Sequence, residues 1–267
     1  MIGGTWSYDG SLEGLLVLAH RAYSEASPPD AVANALAADG ELFALLGPSP
    51  LRGAPLRGPL DPSPSELGRA AESASAELRA FSDELFNTIM RIWMSEEALE
   101  LPLFRLCALA GHRGTEVLAD HGNPDLRAVS RASRRVEREI DRLSGLARFS
   151  PAGDGLLAAP LEPEANVLAA LLPHFARRFG SEDFALIDLR RRLAIARRGG
   201  RFESAVGEAA LAFLPDGAGV GDEELLLWRR YFKAAENPSR RNPELQRRLM
   251  PHRYWKYLPE MGGTGGI

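Results

Sequence analysis

The residues best placed to do chemistry fall between 166 and 192. His174, Arg177 and Arg178 lie on a stretch with helical spacing, and His174 and Arg178, four apart, share one face. Asp188 and the run Arg190-Arg191-Arg192 follow at the end of a strand-like apolar segment. Guanidinium groups offer a planar fork of donors that matches phosphate oxygens, and an imidazole can carry a proton near neutral pH. Such a group would suit a nucleic-acid hydrolase or nuclease using His174, Asp188 and Arg178 as catalytic residues. The alternative is plain packing, in which Arg178 pairs with Asp188 across the layer and His174 is an ordinary helical residue.

Other chemistry-bearing residues are more isolated. Asp9 and Glu13 could bind a metal or act as a base at a helix N-terminus. An Asp-Gly pair before a helix equally supplies a turn and a charge that suits the positive end of the helix dipole. His112 and His121 are too far apart in sequence to be adjacent helical ligands, and Cys107 sits in an apolar stretch where a small buried residue is expected. Gly217-Ala-Gly-Val-Gly221 lacks a preceding strand and the GxxxxGK[ST] pattern of a phosphate loop, so it is a linker. No metal site and no cofactor are expected.

Charge points elsewhere, to the C-terminal part. Between Trp228 and Lys256 stand seven Arg, two Lys and only Glu236 and Glu244, in a chain whose net charge is -4. Cations interleaved with Trp and Tyr fit a phosphate backbone with accessible bases. A solvated Arg face on a pair of C-terminal helices is the competing explanation. Leu225, Trp228 and Phe232 make an apolar stripe that belongs in a core, and Tyr254 and Trp255 could anchor the segment. The candidate nucleic-acid-binding residues are therefore Arg229, Lys233, Arg240, Arg241, Arg247, Arg248, Arg253 and Lys256.

The same stretch, Arg-Arg-Asn-Pro-Glu-Leu-Gln-Arg-Arg-Leu-Met-Pro-His-Arg-Tyr-Trp-Lys-Tyr-Leu-Pro-Glu (240–260), resembles the closing motif of a bacterial family of DNA-metabolism and DNA-repair proteins. Tyr8-Asp-Gly-Ser-Leu-Glu-Gly-Leu-Leu16, Asn166-Val-Leu-Ala-Ala-Leu-Leu-Pro-His-Phe-Ala-Arg-Arg-Phe179 and Ile187-Asp-Leu-Arg-Arg191 match it too, in the family's order. Members of that family occur alone or fused to a uracil-DNA-glycosylase-like domain, and are encoded beside a radical-SAM protein of helix-hairpin-helix character. The resemblance implies DNA, a radical-SAM protein and a uracil-DNA-glycosylase-like protein as partners. No catalytic assignment travels with it. The expected function is a DNA-binding accessory or processing factor in repair or modification. The alternatives are the hydrolase above and a protein–protein adaptor whose basic tail meets an acidic surface.

The elements that must position these residues imply an α+β fold. A mixed or antiparallel sheet is expected from a strand at Thr5–Tyr8 and from residues 146–206, with packed helices, a helical insertion and a basic C-terminal helical segment. Strands are expected at 41–46, 146–150, 156–161, 184–189, 193–197 and 201–206, the last two joined at Gly199-Gly200. Helices are expected from Ser11 to about 26, over 65–94 and 95–119, from Asn123-Pro124 to about 143, and over 166–179, 222–235 and from Asn242-Pro243. The organisation is one α+β unit with parts at 1–62, 63–143, 144–215 and 222–260.

At 267 residues the chain can bury a sizeable core. One cysteine excludes an internal disulfide and a multi-cysteine zinc or iron–sulfur site within this sequence. Any radical chemistry would thus rest on the partner's cluster. No apolar run reaches the roughly 20 residues of a membrane span and no signal peptide is apparent, so a cytoplasmic location is expected.

Overall fold

The structure is a computed structural model and describes residues 5–34, 64–215, 222–237, 239, 242–258 and 261. Its architecture is α+β, with a five-stranded mixed sheet and packed helices. The chain divides into two compact units. The boundary falls inside the helix Pro124–Leu146, between Glu137 and Arg138.

In the first unit β1 (Thr5–Tyr8) pairs in parallel with β2 (Ala31–Asn34), Thr5 opposite Ala31. The sequence placed β1 in the main sheet. It belongs instead to this separate two-stranded sheet, because the helix Leu12–Ser24 supplies the crossover that parallel neighbours need. The strand expected at 41–46 lies outside the described residues. Ser11 caps the helix as its spacing predicts, its hydroxyl accepting from the Gly14 amide at 2.9 Å. Asp9 holds that cap through the Ser11 amide at 2.9 Å and hydroxyl at 2.5 Å, so its role is the turn. A Cβ at Gly111 would lie 2.1 Å from the Tyr23 carbonyl oxygen. Only glycine lets the helix Glu100–Arg113 approach the first helix that closely.

The helical part is more broken than its periodicity predicts. The expected helix over 65–94 is two, Pro64–Phe81 and Asp83–Ser95. Ser82 adopts an extended conformation between them and its hydroxyl accepts from the Leu85 amide at 3.2 Å. Serine competes well for backbone donors at a helix start, and here that capping bond wins over continuous helix. The stretch over 95–119 is the helix Glu100–Arg113 followed by a 3-10 turn at Gly114–Ala119. The next helix begins at Pro124, with Asn123 accepting from the Asp125 amide at 2.8 Å and the Leu126 amide at 3.2 Å.

The second unit holds the sheet in the order β3 (Ser150–Ala152), β4 (Leu156–Leu161), β5 (Phe184–Asp188), β6 (Leu193–Arg198), β7 (Arg201–Val206). β4 and β5 run parallel through the crossover helix Leu168–Phe179; the other neighbours are antiparallel. The strand expected at 146–150 starts only at Ser150, because the preceding helix runs on to Leu146. Gly199 and Gly200, at φ +54° and +80°, make the two-residue turn between β6 and β7. That conformation needs φ > 0 at both positions.

The alternation along β5 sorts the two faces. Phe184 joins Phe149, Phe175 and Phe179 in an aromatic cluster under the crossover helix. Ala185 and Ile187 face the other way, into a layer with Ala158, Ala194, Ala196 and Ala210. Asp188, two residues beyond Leu186 and four beyond Phe184, therefore lies on the helix-covered face. The helices Asp222–Ala235 and Pro243–Leu249 follow, the latter capped by Asn242, and a 3-10 segment spans His252–Tyr257. The apolar stripe expected on the first of these is not a core face at Phe232, which is 37% exposed.

Candidate functional site

Because β4 and β5 are parallel, their carboxyl ends lie side by side, Leu161 opposite Asp188. In open α/β sheets that end is where ligands are commonly held. Here it collects four carboxylates, Glu139, Glu162, Glu164 and Asp188, and three cations, Arg191, Arg253 and Lys256.

Asp188 is fully buried. Its Oδ1 accepts from the amides of Arg190 at 2.9 Å and Arg191 at 3.1 Å, and its Oδ2 from Arg191 Nη1 at 2.7 Å. The same guanidinium donates to the carbonyls of Pro163 at 3.2 Å and Glu164 at 2.7 Å. Arg191 thus ties the end of β5 to the loop that follows β4. Burial pushes the Asp188 carboxyl above its usual range, against the opposing pull of Arg191 and the two amides.

Glu139 is the second buried carboxylate. It stands on the helix Pro124–Leu146 in the buried row Ala132, Val136, Glu139, Leu143, whose steps of four, three and four residues keep one face. Its Oε1 accepts from the Glu164 amide at 2.7 Å and the Tyr254 hydroxyl at 2.8 Å, and its Oε2 from the Ala165 amide at 2.8 Å. Arg253 approaches Oε1 at 3.4 Å, donates to the Tyr254 oxygen at 2.8 Å, and pairs with the Glu164 carboxylate. Next to it Lys256 Nζ meets Glu162 at 2.6 Å, a bond that holds the Glu162 carboxyl below its ordinary range. Tyr254, Tyr257 and Leu258 are buried. Burial, with Glu139 beside one and Glu162 beside the other, pushes both phenols above the usual tyrosine value.

A family model, the domain of unknown function DUF4130, matches residues 97–260, more than half of the chain. The chain belongs to the DUF4130 family. It matches no curated protein and no solved structure. Every residue of the polar cluster lies inside the DUF4130 span, whereas β1, β2 and the first three described helices lie outside it.

Within the DUF4130 span the predicted catalytic residues are not brought together. His174 packs edge-on against Phe175 with ring centroids 4.8 Å apart, and no hydrogen bond joins it to Asp188 among the described residues. It sits about 9 Å along the helix from Leu168, the end nearest the strand termini. Arg178 does not pair with Asp188 as expected; its guanidinium is exposed and lies 5.7 Å from the Phe179 ring centroid. Arg191 takes that place because it is only three residues away across a tight turn.

The predicted nucleic-acid-binding residues divide as well. Arg229 and Lys233 are exposed on the helix Asp222–Ala235, and Arg247 is exposed on the helix Pro243–Leu249. Arg253 and Lys256, expected to be unpaired charges, are ion-paired in the cluster. Arg240, Arg241 and the Arg248 side chain lie outside the described residues. Tyr254 anchors the segment as expected, and Trp255 donates to the Met250 carbonyl at 2.9 Å.

Arg191 belongs to the arginine run that the sequence already points to, whereas Glu139 and Tyr257 are not among the expected site residues. Of those two only Glu139 leaves a signal, its place in an otherwise apolar seam. Cys107 is buried and its thiol is pushed up to about 12 by desolvation, while His112 and His121 are exposed. Among the described residues no group of three or more His, Cys, Asp or Glu is placed to hold a metal ion. Both oxygens of Glu139 and of Asp188 are already taken by donors, so what the cluster does is fasten residues 252–258 across the end of the parallel pair.

Proposed function

We propose that this DUF4130 protein is a nucleic-acid-binding accessory or processing factor for DNA repair or modification, working with a radical-SAM protein and a uracil-DNA-glycosylase-like protein. The supporting observation is the surface of the helix Asp222–Ala235. Arg229, Arg230, Tyr231 and Lys233 are exposed there, with no carboxylate between Leu227 and Ala235. Exposed cations grouped on one helix attract phosphates and release their counterions. The hydrolase reading draws no support from the arrangement of His174 and Asp188; metal-dependent cleavage of nucleic acid by the purified protein would revive it.

The test is DNA affinity measured across several salt concentrations. Replacing Arg230 and Lys233 together by Gln removes two phosphate contacts and should lower the slope of log affinity against log salt by about 1.4 to 1.8, with the melting temperature unchanged. No DNA binding at low salt would reject the proposal. A pull-down of the radical-SAM protein, with and without damaged DNA, tests the partner half.

A further inference from the structure

We infer that the nucleic acid taken by this surface is single-stranded, with phosphates on Arg229, Arg230 and Lys233 and an unstacked base on Tyr231. The inference rests on the nucleic-acid reading above and narrows it.

What carries it is the company the cations keep. Tyr231 is 65% exposed, Leu227 63% and Phe232 37%. On a helix Leu227 and Tyr231 are one turn apart and form one row; Arg229 and Lys233 form another, with Arg230 between the two. Phe232 lies on the far side of the Arg229–Lys233 row. The cations are thus bordered by an aromatic side chain on each side. Apolar side chains this exposed gain free energy only when something covers them.

Duplex DNA would use the cations and leave the aromatics in water, because its base faces are hidden in the stack. A single strand presents phosphates and open base faces within the same reach, and aromatic stacking tolerates any base. An acidic protein surface could also cover Leu227 and Tyr231. It would have no need of a flat ring, so an aliphatic side chain would serve it equally well.

The experiment measures fluorescence anisotropy of the full chain with a labelled oligo-dT of about 20 nucleotides and with a duplex of the same length. At equal salt the single strand should bind at least about tenfold tighter. Tyr231→Ala should weaken single-strand binding by about 5- to 150-fold and leave duplex binding within about twofold, while Tyr231→Phe keeps the preference. Circular dichroism checks that each variant is folded; if Tyr231→Ala is not, the preference of the native chain decides alone. Equal affinity for both forms would overturn the single-strand inference, and so would a Tyr231→Leu variant that binds like the native protein. In either case, a salt slope lowered by Arg230→Gln with Lys233→Gln would leave the nucleic-acid reading standing. Failure to bind either oligonucleotide at low salt would remove both.

Discussion

Glu139 can be replaced by Gln, which keeps its shape, or by Ala, which does not. In the native protein its two oxygens receive the Glu164 and Ala165 amides, the Tyr254 hydroxyl and Arg253. Alanine strands those donors. A buried donor without an acceptor costs about 1–3 kcal/mol. Glu164 is exposed, so water can reach its amide; Ala165 and Tyr254 are buried and bear the full cost. Adding the loss of one of the two carboxylates around Arg253, which keeps Glu164 and is partly solvated, gives about 3–5 kcal/mol for Glu139→Ala. Glutamine keeps one carbonyl for Tyr254 and the Glu164 amide but turns an NH2 group against the Ala165 amide, so about 2 kcal/mol is expected.

At roughly 3–5 °C per kcal/mol for a unit of this size, the melting temperature should fall by about 6–10 °C for Gln and about 9–25 °C for Ala. Urea unfolding and calorimetry measure both quantities. A double-mutant cycle with Tyr254→Phe should show a coupling of at least about 0.5 kcal/mol. If Glu139→Gln stays within about 0.5 kcal/mol of the native protein and does not couple to Tyr254→Phe, the cluster does not hold the C-terminal segment.

Three further outcomes are expected. Asp188→Asn removes the buried charge that pairs with Arg191, whose side chain is 6% exposed, and should cost about 3–5 kcal/mol in urea unfolding while DNA affinity is unchanged. Loss of affinity with full stability would instead make Asp188 a functional residue. Tyr8, Tyr254 and Tyr257 have phenols raised above the unfolded value of about 10. Their contribution to stability is complete below that pH and is lost as pH rises through the folded values. Phenolate absorbance from these three should therefore grow together with loss of circular dichroism above about pH 10, and ionisation in the intact fold would contradict their burial. Cys107 should resist a thiol reagent until denaturant is added, since its thiol is buried and titrates only near about 12; rapid labelling of the native protein would refute this.

Local patterns proved legible where one short-range force decides the outcome. Ser11, Asn123 and Asn242 cap helices because their side chains reach an amide three residues on, and Gly199-Gly200 turns because φ > 0 is needed twice. The break at Ser82 was hidden, since Leu78, Phe81, Leu85 and Ile89 keep an apolar helical row straight through the cap. The partner of β1 was hidden for another reason: pairing depends on where a crossover returns the chain, which Thr5–Tyr8 does not encode by itself.

The site was the least legible part. Spacing alone points to Arg178 as the mate of Asp188, and the turn at 189–192 puts Arg191 there instead. Arg253 and Lys256 look unpaired because their acids, Glu139, Glu164 and Glu162, are 89 to 114 residues away for the nearest and farthest of the Arg253 pairs, with the Lys256 pair at 94.

That sequence distance gives the second unit a timetable. Glu139 and the Tyr254 hydroxyl that completes its shell are 115 residues apart, whereas the Glu164 and Ala165 amides follow it by 25 and 26. At about 5–20 residues per second of synthesis, Tyr254 emerges roughly 6–23 s after Glu139. Through that interval the helix offers an apolar row with a carboxylate in its middle and only the early amides to meet it. The sheet can pair in the meantime, but the end of β4 and β5 stays open until the last helical turn arrives. A nascent chain halted anywhere between β7 and His252 would carry a nearly complete unit that a protease can still tell from a finished one.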